Sequence, residues 1–273
     1  MNMKKIIFYP LFVLLFSLSS CSMFEIDNYK APAETLKGEV VDVVTGKSVL
    51  TDQGSEGIRV RLTEVSYGDN VTPNPDFYCM PDGTFQNTKL FKGKYNIRID
   101  GPFIPLVRAN QSGTPIADES TTMEISGVTT VKFEVQPFLN IEWVGNPTVS
   151  NGQIIAKVRV TRGVSETDFK SKVEPMGNYS STFLNITDIR LFVSYSSSVG
   201  YRARDDRWSN KIEYTGSDFN PLVGQTITIK STGSIPPGRN VFIRAAARIN
   251  FDTPVGSGTR RWNYNEPTEV LIP

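Results

Sequence analysis

From Thr35 onward, apolar and polar residues alternate with a period of two in short runs, each broken by Gly, Pro, Asn or Asp. This is the pattern of half-buried strands joined by tight turns. Residues 35–44 place Leu36, Gly38, Val40, Asp42 and Val44 on one strand face and end in the turn Thr45-Gly46. Residues 58–63 turn Ile58, Val60 and Leu62 toward a core and both Arg59 and Arg61 toward water, because successive side chains of a strand point to opposite faces. Residues 77–80 lead into Pro81-Asp82-Gly83, a hairpin-type turn whose glycine supplies positive φ, and Thr84-Phe85-Gln86 starts the return strand. A further turn at Gly93 precedes a strand with Tyr95, Ile97 and Ile99 inward. Residues 101–120, rich in Pro, Gly, Ser and Thr, read as a surface loop in front of a last strand over 129–136.

Pro137 closes this series, since a strand interior does not tolerate proline and a new apolar strand begins at Phe138. Strands are expected over 138–144, 154–161, 186–195, 211–214, 225–230, 240–249 and 269–272. About seven strands at this spacing make an immunoglobulin- or fibronectin-like sandwich. Trp143 is expected in its core, and residues 165–173 form one short helix capped by Ser165 or Thr167. The fold class is therefore all-β, two antiparallel β-sandwich domains over residues 34–136 and 137–273.

The turn and core residues of the first domain also carry a resemblance. Gly38-x-Val40-x-Asp42-x-x-Thr45-Gly46, then Gly57-Ile58-x-Val60, Asp82-Gly83-x-Phe85 and Leu90-x-x-Gly93-x-Tyr95-x-Ile97 resemble the Greek-key sandwich of transthyretin-like, carboxypeptidase-regulatory-type domains. Together with Asp27-Asn28-Tyr29-x-Ala31-Pro32-x-x-Thr35-Leu36, the pattern is similar to the Bacteroidetes lipoproteins catalogued as domain-of-unknown-function family 3823. The resemblance implies a gene beside a glycan-uptake system of the starch-utilisation type, and it brings no catalytic residue to transfer. Each motif residue also has a structural account: the glycines serve turns or close packing, and Phe85 and Tyr95 fill the core.

The chain before Thr35 has a different pattern. A short basic start, Met1 to Lys5, precedes an apolar run over 6–18 that is too short to span a bilayer and matches a signal-peptide core. It closes on Leu18-Ser19-Ser20-Cys21, the small-residue pattern of a lipoprotein signal. Residues 1–20 are expected to be removed, Cys21 to carry the lipid, and residues 21–33 to form a tether. Several acyl chains on one cysteine hold a protein to a membrane without a spanning helix. Glu25 and Asp27, interrupted by Phe24 and Ile26, resemble the surface-export signal of Bacteroidetes lipoproteins, which places the protein at the outer membrane facing the exterior.

Composition narrows the chemistry. The formal net charge is +1, so no basic field exists to hold a nucleic acid. The chain has no histidine, which removes the commonest general base and most transition-metal sites. No cofactor, metal or catalytic residue is expected. Cys79 has no partner besides the lipidated Cys21 and is expected to be a buried, inert thiol.

Sugar recognition uses aromatic faces with polar groups alongside, and the candidates are Trp208, Trp262 and Tyr264 with Asp205 and Asp206. Two readings of these residues stand side by side. They could line a ligand site, or Trp262 and Trp208 could pack the sandwich edge under arginine stems while the two acids pair with Arg202, Arg204 and Arg207. Three functions follow: capture of a glycan or other nutrient beside an uptake-porin complex, a structural or adhesive role that binds another protein by strand addition, or hydrolysis, which needs two facing carboxylates.

Overall fold

The computed structural model describes residues 30–68, 72–73, 76–253 and 259–273. Cys21 and the signal segment lie outside the described residues. No described helix is long and apolar enough to cross a membrane.

The first half of the chain supplies β1 (Glu34–Asp42), β2 (Arg59–Glu64), β3 (Thr72–Pro73), β4 (Phe77–Tyr78) and β5 (Thr84–Leu90). These are followed by β6 (Gly93–Asp100), β7 (Val107–Ala109), β8 (Pro115–Asp118), β9 (Thr121–Ile125) and β10 (Val128–Val135). One sheet has the order β10-β1-β5, with β1 parallel to β10 and antiparallel to β5. The facing sheet runs β3-β2-β6-β9, and β4 extends the β2 edge. Leu36, Val40, Ile58, Val60, Leu62, Phe85, Tyr95, Ile97, Ile99 and Phe133 fill the space between the sheets. Gly38 is required there, because a Cβ at this position would lie 2.1 Å from the Phe85 ring that crosses it. Cys79 joins the same core at 0% exposure, and burial raises its thiol pKa far out of the reactive range.

The second half supplies β11 (Leu139–Trp143), β12 (Thr148–Ser150), β13 (Gln153–Arg162), the helix α1 (Glu166–Val173), β14 (Ile186–Ser194) and β15 (Asn210–Glu213). After them come β16 (Thr226–Lys230), β17 (Arg239–Ile249), β18 (Asn263–Tyr264) and β19 (Thr268–Ile272). β13 lies between β11/β12 and β16 in one sheet, and the other has the order β15-β14-β17 with β18 and β19 on the far side of β17. This is a two-sheet, antiparallel sandwich of the expected kind. Ser165 caps α1, its hydroxyl oxygen accepting the Asp168 N–H at 3.0 Å, and Phe169 pins the helix to the core.

Four local expectations are corrected. Val44 is exposed, because β1 ends at Asp42, whose carboxylate accepts the Val44 N–H and the Thr45 hydroxyl and so starts a turn. Arg59 is buried instead of facing water: Asp100 lies opposite it on β6 and bonds its guanidinium at 2.9 Å, which compensates the buried charge. Within 101–120, residues 101–106 are buried, Phe103 and Leu106 in the first core and Ile104 in the second, and the β7–β8 hairpin is the surface feature. Trp143 is half-buried at the rim, where its indole N–H donates to the Glu266 carbonyl at 3.0 Å.

The two sandwiches share a polar joint. Arg244 of β17, 1% exposed, donates to the carbonyls of Thr51, Pro81 and Asn265. Arg261 donates to the carbonyls of Ser55 and Gly57, and the Asn263 amide donates to the Pro102 carbonyl. The loop 51–57 of the first sandwich is thus held by buried arginines of the second.

Candidate functional site

The structure buries the aromatic candidates of the second sandwich. Trp262 is 0% exposed, packed edge-on against Phe192 with the Arg248 and Arg190 guanidinium groups over its ring at 4.4 and 5.1 Å. Tyr264 is buried beneath Arg244, and Trp208 is buried edge-on against Tyr195 with Arg207 over its ring. Stacking on a sugar needs an open ring face, and these faces are already covered, so the ligand-binding reading of all three is corrected in favour of packing.

Asp205 receives two bonds from the Arg207 guanidinium, at 3.0 and 2.7 Å, plus the Arg207 backbone N–H. Asp206 is paired with Arg204 at 2.6 Å. Both carboxylates pair with arginines two residues away, as the packing reading expects, while Asp206 stays 79% exposed on the rim of a cavity of about 290 Å³ shared with Arg204 and Lys211. The stretch 260–265 is therefore the joint between sandwiches, with Trp262 donating its backbone N–H to Glu56.

A groove of about 890 Å³ lies along the β4–β5 side of the first sandwich. Its walls combine half-buried rings, Phe77 and Tyr78, with the side-chain amides of Gln53 and Gln86. Lys37 and Glu39 of β1 and Thr130 and Lys132 of β10 contribute amines, a carboxylate and a hydroxyl. The sheet register explains this grouping. Lys37 is paired with both Thr130 and Gln86, and Glu39 with both Lys132 and Thr84, so each row of polar side chains emerges on one face. Phe77 is fixed edge-to-face on Phe85 at 6.0 Å, and the Gln53 amide donates to the Met80 sulfur at 3.2 Å. An amphipathic wall of this kind suits a polyol, which offers an apolar ring face and a polar rim.

Asp76 closes one end of the groove and is held by two arginines, bonding Arg61 at 2.8 and 2.9 Å and Arg59 at 3.1 Å. The Arg61 hydrogen bond, followed by the Arg59 charge, holds its carboxyl below the usual carboxylate range. A general acid needs the opposite shift.

The lowered value has a consequence for stability. A carboxyl with a depressed folded-state pKa stabilises the fold above the ordinary carboxylate range and loses that contribution as pH falls through the depressed value. Asp76→Asn is therefore expected to be less stable than the parent at pH 7 and to lose less of its stability below about pH 4. Urea denaturation at neutral and acidic pH reads both effects, and parallel pH profiles would contradict the assignment.

The groove was not legible in advance because its residues come from five separated segments. The only local signal was the pair Phe77-Tyr78 beside Asp76, which by itself reads as an ordinary strand.

Comparison with known proteins gives the family. Residues 34–136, the span of the first sandwich, match the family described as "Protein of unknown function (DUF3823) N-terminal domain". No curated protein matches the chain. A DUF3823 family protein from Bacteroides uniformis is 70% identical, with a TM-score of 0.87, and the match covers 89% of this chain and 100% of that one. Two more distant structures share the fold. A "putative carbohydrate binding protein" from Bacteroides uniformis has 17% identity and a TM-score of 0.59, over 88% of this chain and 100% of that one. A DUF3823 family protein from Parabacteroides merdae has 18% identity and a TM-score of 0.57 at the same coverage. With one sandwich matched by the family pattern and a family member 70% identical over its entire length, this chain belongs to the DUF3823 family.

Proposed function

We propose that the protein is a lipid-anchored envelope protein at the cell surface that captures a glycan in the groove beside β4 and β5 and has no catalytic step of its own. The observation that carries this reading is the groove itself: two half-buried rings set among amides, hydroxyls, amines and carboxylates on one side of the first sandwich. Support for the anchor comes from Cys21 at the end of an apolar run of signal-peptide length. The fold it shares with the 17% identical "putative carbohydrate binding protein" from Bacteroides uniformis agrees with a carbohydrate-binding role. On this reading the protein works at the outer membrane beside an uptake porin, presenting the glycan to it. Strand addition by a protein partner has less support, since edge strand β5 carries exposed Gln86, Thr88 and Lys89 and a register shift against β1, features that guard an edge.

A glycan-array screen of the chain from Phe24 onward tests the reading, with Tyr78→Ala and Gln86→Ala variants beside it. Binding by the parent is expected to weaken about tenfold in Tyr78→Ala, the equivalent of about 1.4 kcal/mol, with the fold confirmed by circular dichroism. Absence of binding to any glycan by the folded parent, or equal binding by the variants, would overturn it.

A further inference from the structure

We infer that the end of the first sandwich nearest the tether seats directly on the headgroup layer of a phospholipid bilayer, using three loop tips as shallow anchors. Nine large apolar side chains are exposed among the described residues, and three of them stand together at this end. Tyr67 follows β2 and is 62% exposed, Phe91 sits between β5 and β6 at 40%, and Val128 opens β10 at 68%. The strand register brings the tips together. Val65 donates its N–H to the Lys94 carbonyl, Glu34 pairs with Leu90, and Thr35 pairs with Val128. Glu34 also accepts the Gly127 N–H, fixing the β9–β10 turn to the start of β1.

The surface between Tyr67 and Phe91 is a groove of about 900 Å³ edged by Lys30, Lys92 and Lys94, all exposed. Aromatic rings and lysines at one level are what a membrane interface accommodates, with rings at the headgroups and ammonium groups reaching the phosphates. Three lysines, Lys30, Lys92 and Lys94, face two carboxylates, Glu34 and Glu124, in this groove, which leaves it net positive.

The bilayer is the occupant because of where the chain comes in. The described residues begin at Lys30 on this same face, nine positions after Cys21. Nine residues span at most about 30 Å however they are arranged, so a lipid on Cys21 keeps this end within that distance of the membrane and makes it the end that reaches the bilayer first. The opposite end of β1 lies toward the second sandwich, since β10 runs parallel to it and leads from Val135 through Gln136, bonded to Lys172, into β11. The inference rests on the lipid anchor of the proposed function and adds to it a fixed orientation: β1 rises from the membrane, and the β4–β5 groove is held above it on the side of the molecule.

The test uses the full, natively lipidated chain reconstituted into vesicles of phosphatidylethanolamine and phosphatidylglycerol. Single variants Tyr67→Cys, Phe91→Cys and Val128→Cys carry an environment-sensitive dye, with Tyr195→Cys on the second sandwich as the control. Cys79 is 0% exposed and takes no label. Flotation of the vesicles reads the anchor independently of the dye.

Expected are a blue-shifted emission at all three tips, loss of roughly half or more of it to bromine-labelled lipids that quench at interfacial depth, and neither effect at position 195. Flotation with an aqueous spectrum at the tips would overturn the seat while leaving the anchor intact. That is also the result expected if the tips bind a protein partner instead. Failure to float would overturn the anchor, and the seat with it.

Discussion

Replacing Arg244 by alanine is expected to destabilise the protein by about 3–5 kcal/mol, because three carbonyls lose a charged donor and each such loss costs about 1–3 kcal/mol. Its guanidinium is 1% exposed, donates to the Asn265, Thr51 and Pro81 carbonyls at 2.7, 2.8 and 3.1 Å, and lies over the Tyr264 ring at 4.6 Å. Burial pushes its pKa down from the usual guanidinium value, yet guanidinium groups stay charged at any physiological pH. Alanine leaves these carbonyls without that donor, and two of them belong to the other sandwich. Arg244→Lys is expected to recover only part of the loss, because one ammonium cannot reproduce a planar fork directed at three acceptors. Calorimetry of the parent should show one cooperative transition, and that of Arg244→Ala two, as the sandwiches come apart. A single transition within about 1 kcal/mol of the parent would show that the joint is held by something else.

Trp262→Ala is expected to cost a similar amount, about 3–5 kcal/mol, as for other large aromatic-to-alanine changes in cores. The indole is 0% exposed against Phe192, and its removal opens a void beneath Arg190 and Arg248, which rest on its ring. Leu271→Ala, at a side chain 64% exposed, should stay within about 0.5 kcal/mol and serves as the control. Urea midpoints for both variants decide the matter. The result bears on function, because a glycan-binding defect in Trp262→Ala would report an unfolded second sandwich and not a lost contact. Tyr78→Ala, in the half-buried wall of the groove, is the informative variant.

Arg59 shows how alternation misleads when the partner is distant. In Ile58-Arg59-Val60 the period-two pattern assigns Arg59 to the solvent face, and the assignment of face is sound. What covers that face cannot be read locally: Asp100 is 41 residues away and Asp76 is 17 away, and together they compensate the buried charge. Trp262 and Tyr264 mislead for the same reason, since aromatic residues among arginines describe an exposed binding strip and a buried cation-stacked joint equally well.

The sequence by itself determined the longer strands but not β3, β7, β8, β9, β12 or β18, together with the turns at Gly46 and Gly83, the capped helix at Ser165, the buried thiol of Cys79 and the all-β class. Each follows from backbone geometry acting over a few residues: side chains alternate along a strand, glycine relieves positive φ, and a serine hydroxyl reaches the next turn of a helix. Only the tertiary structure decided which polar residues are buried, that the two sandwiches meet through arginine–carbonyl bonds, and that Tyr78, Gln53, Gln86 and Glu39 share one groove. Those outcomes depend on register and on contacts between segments tens of residues apart, and no local pattern of hydrophobicity encodes which distant face will cover a given strand.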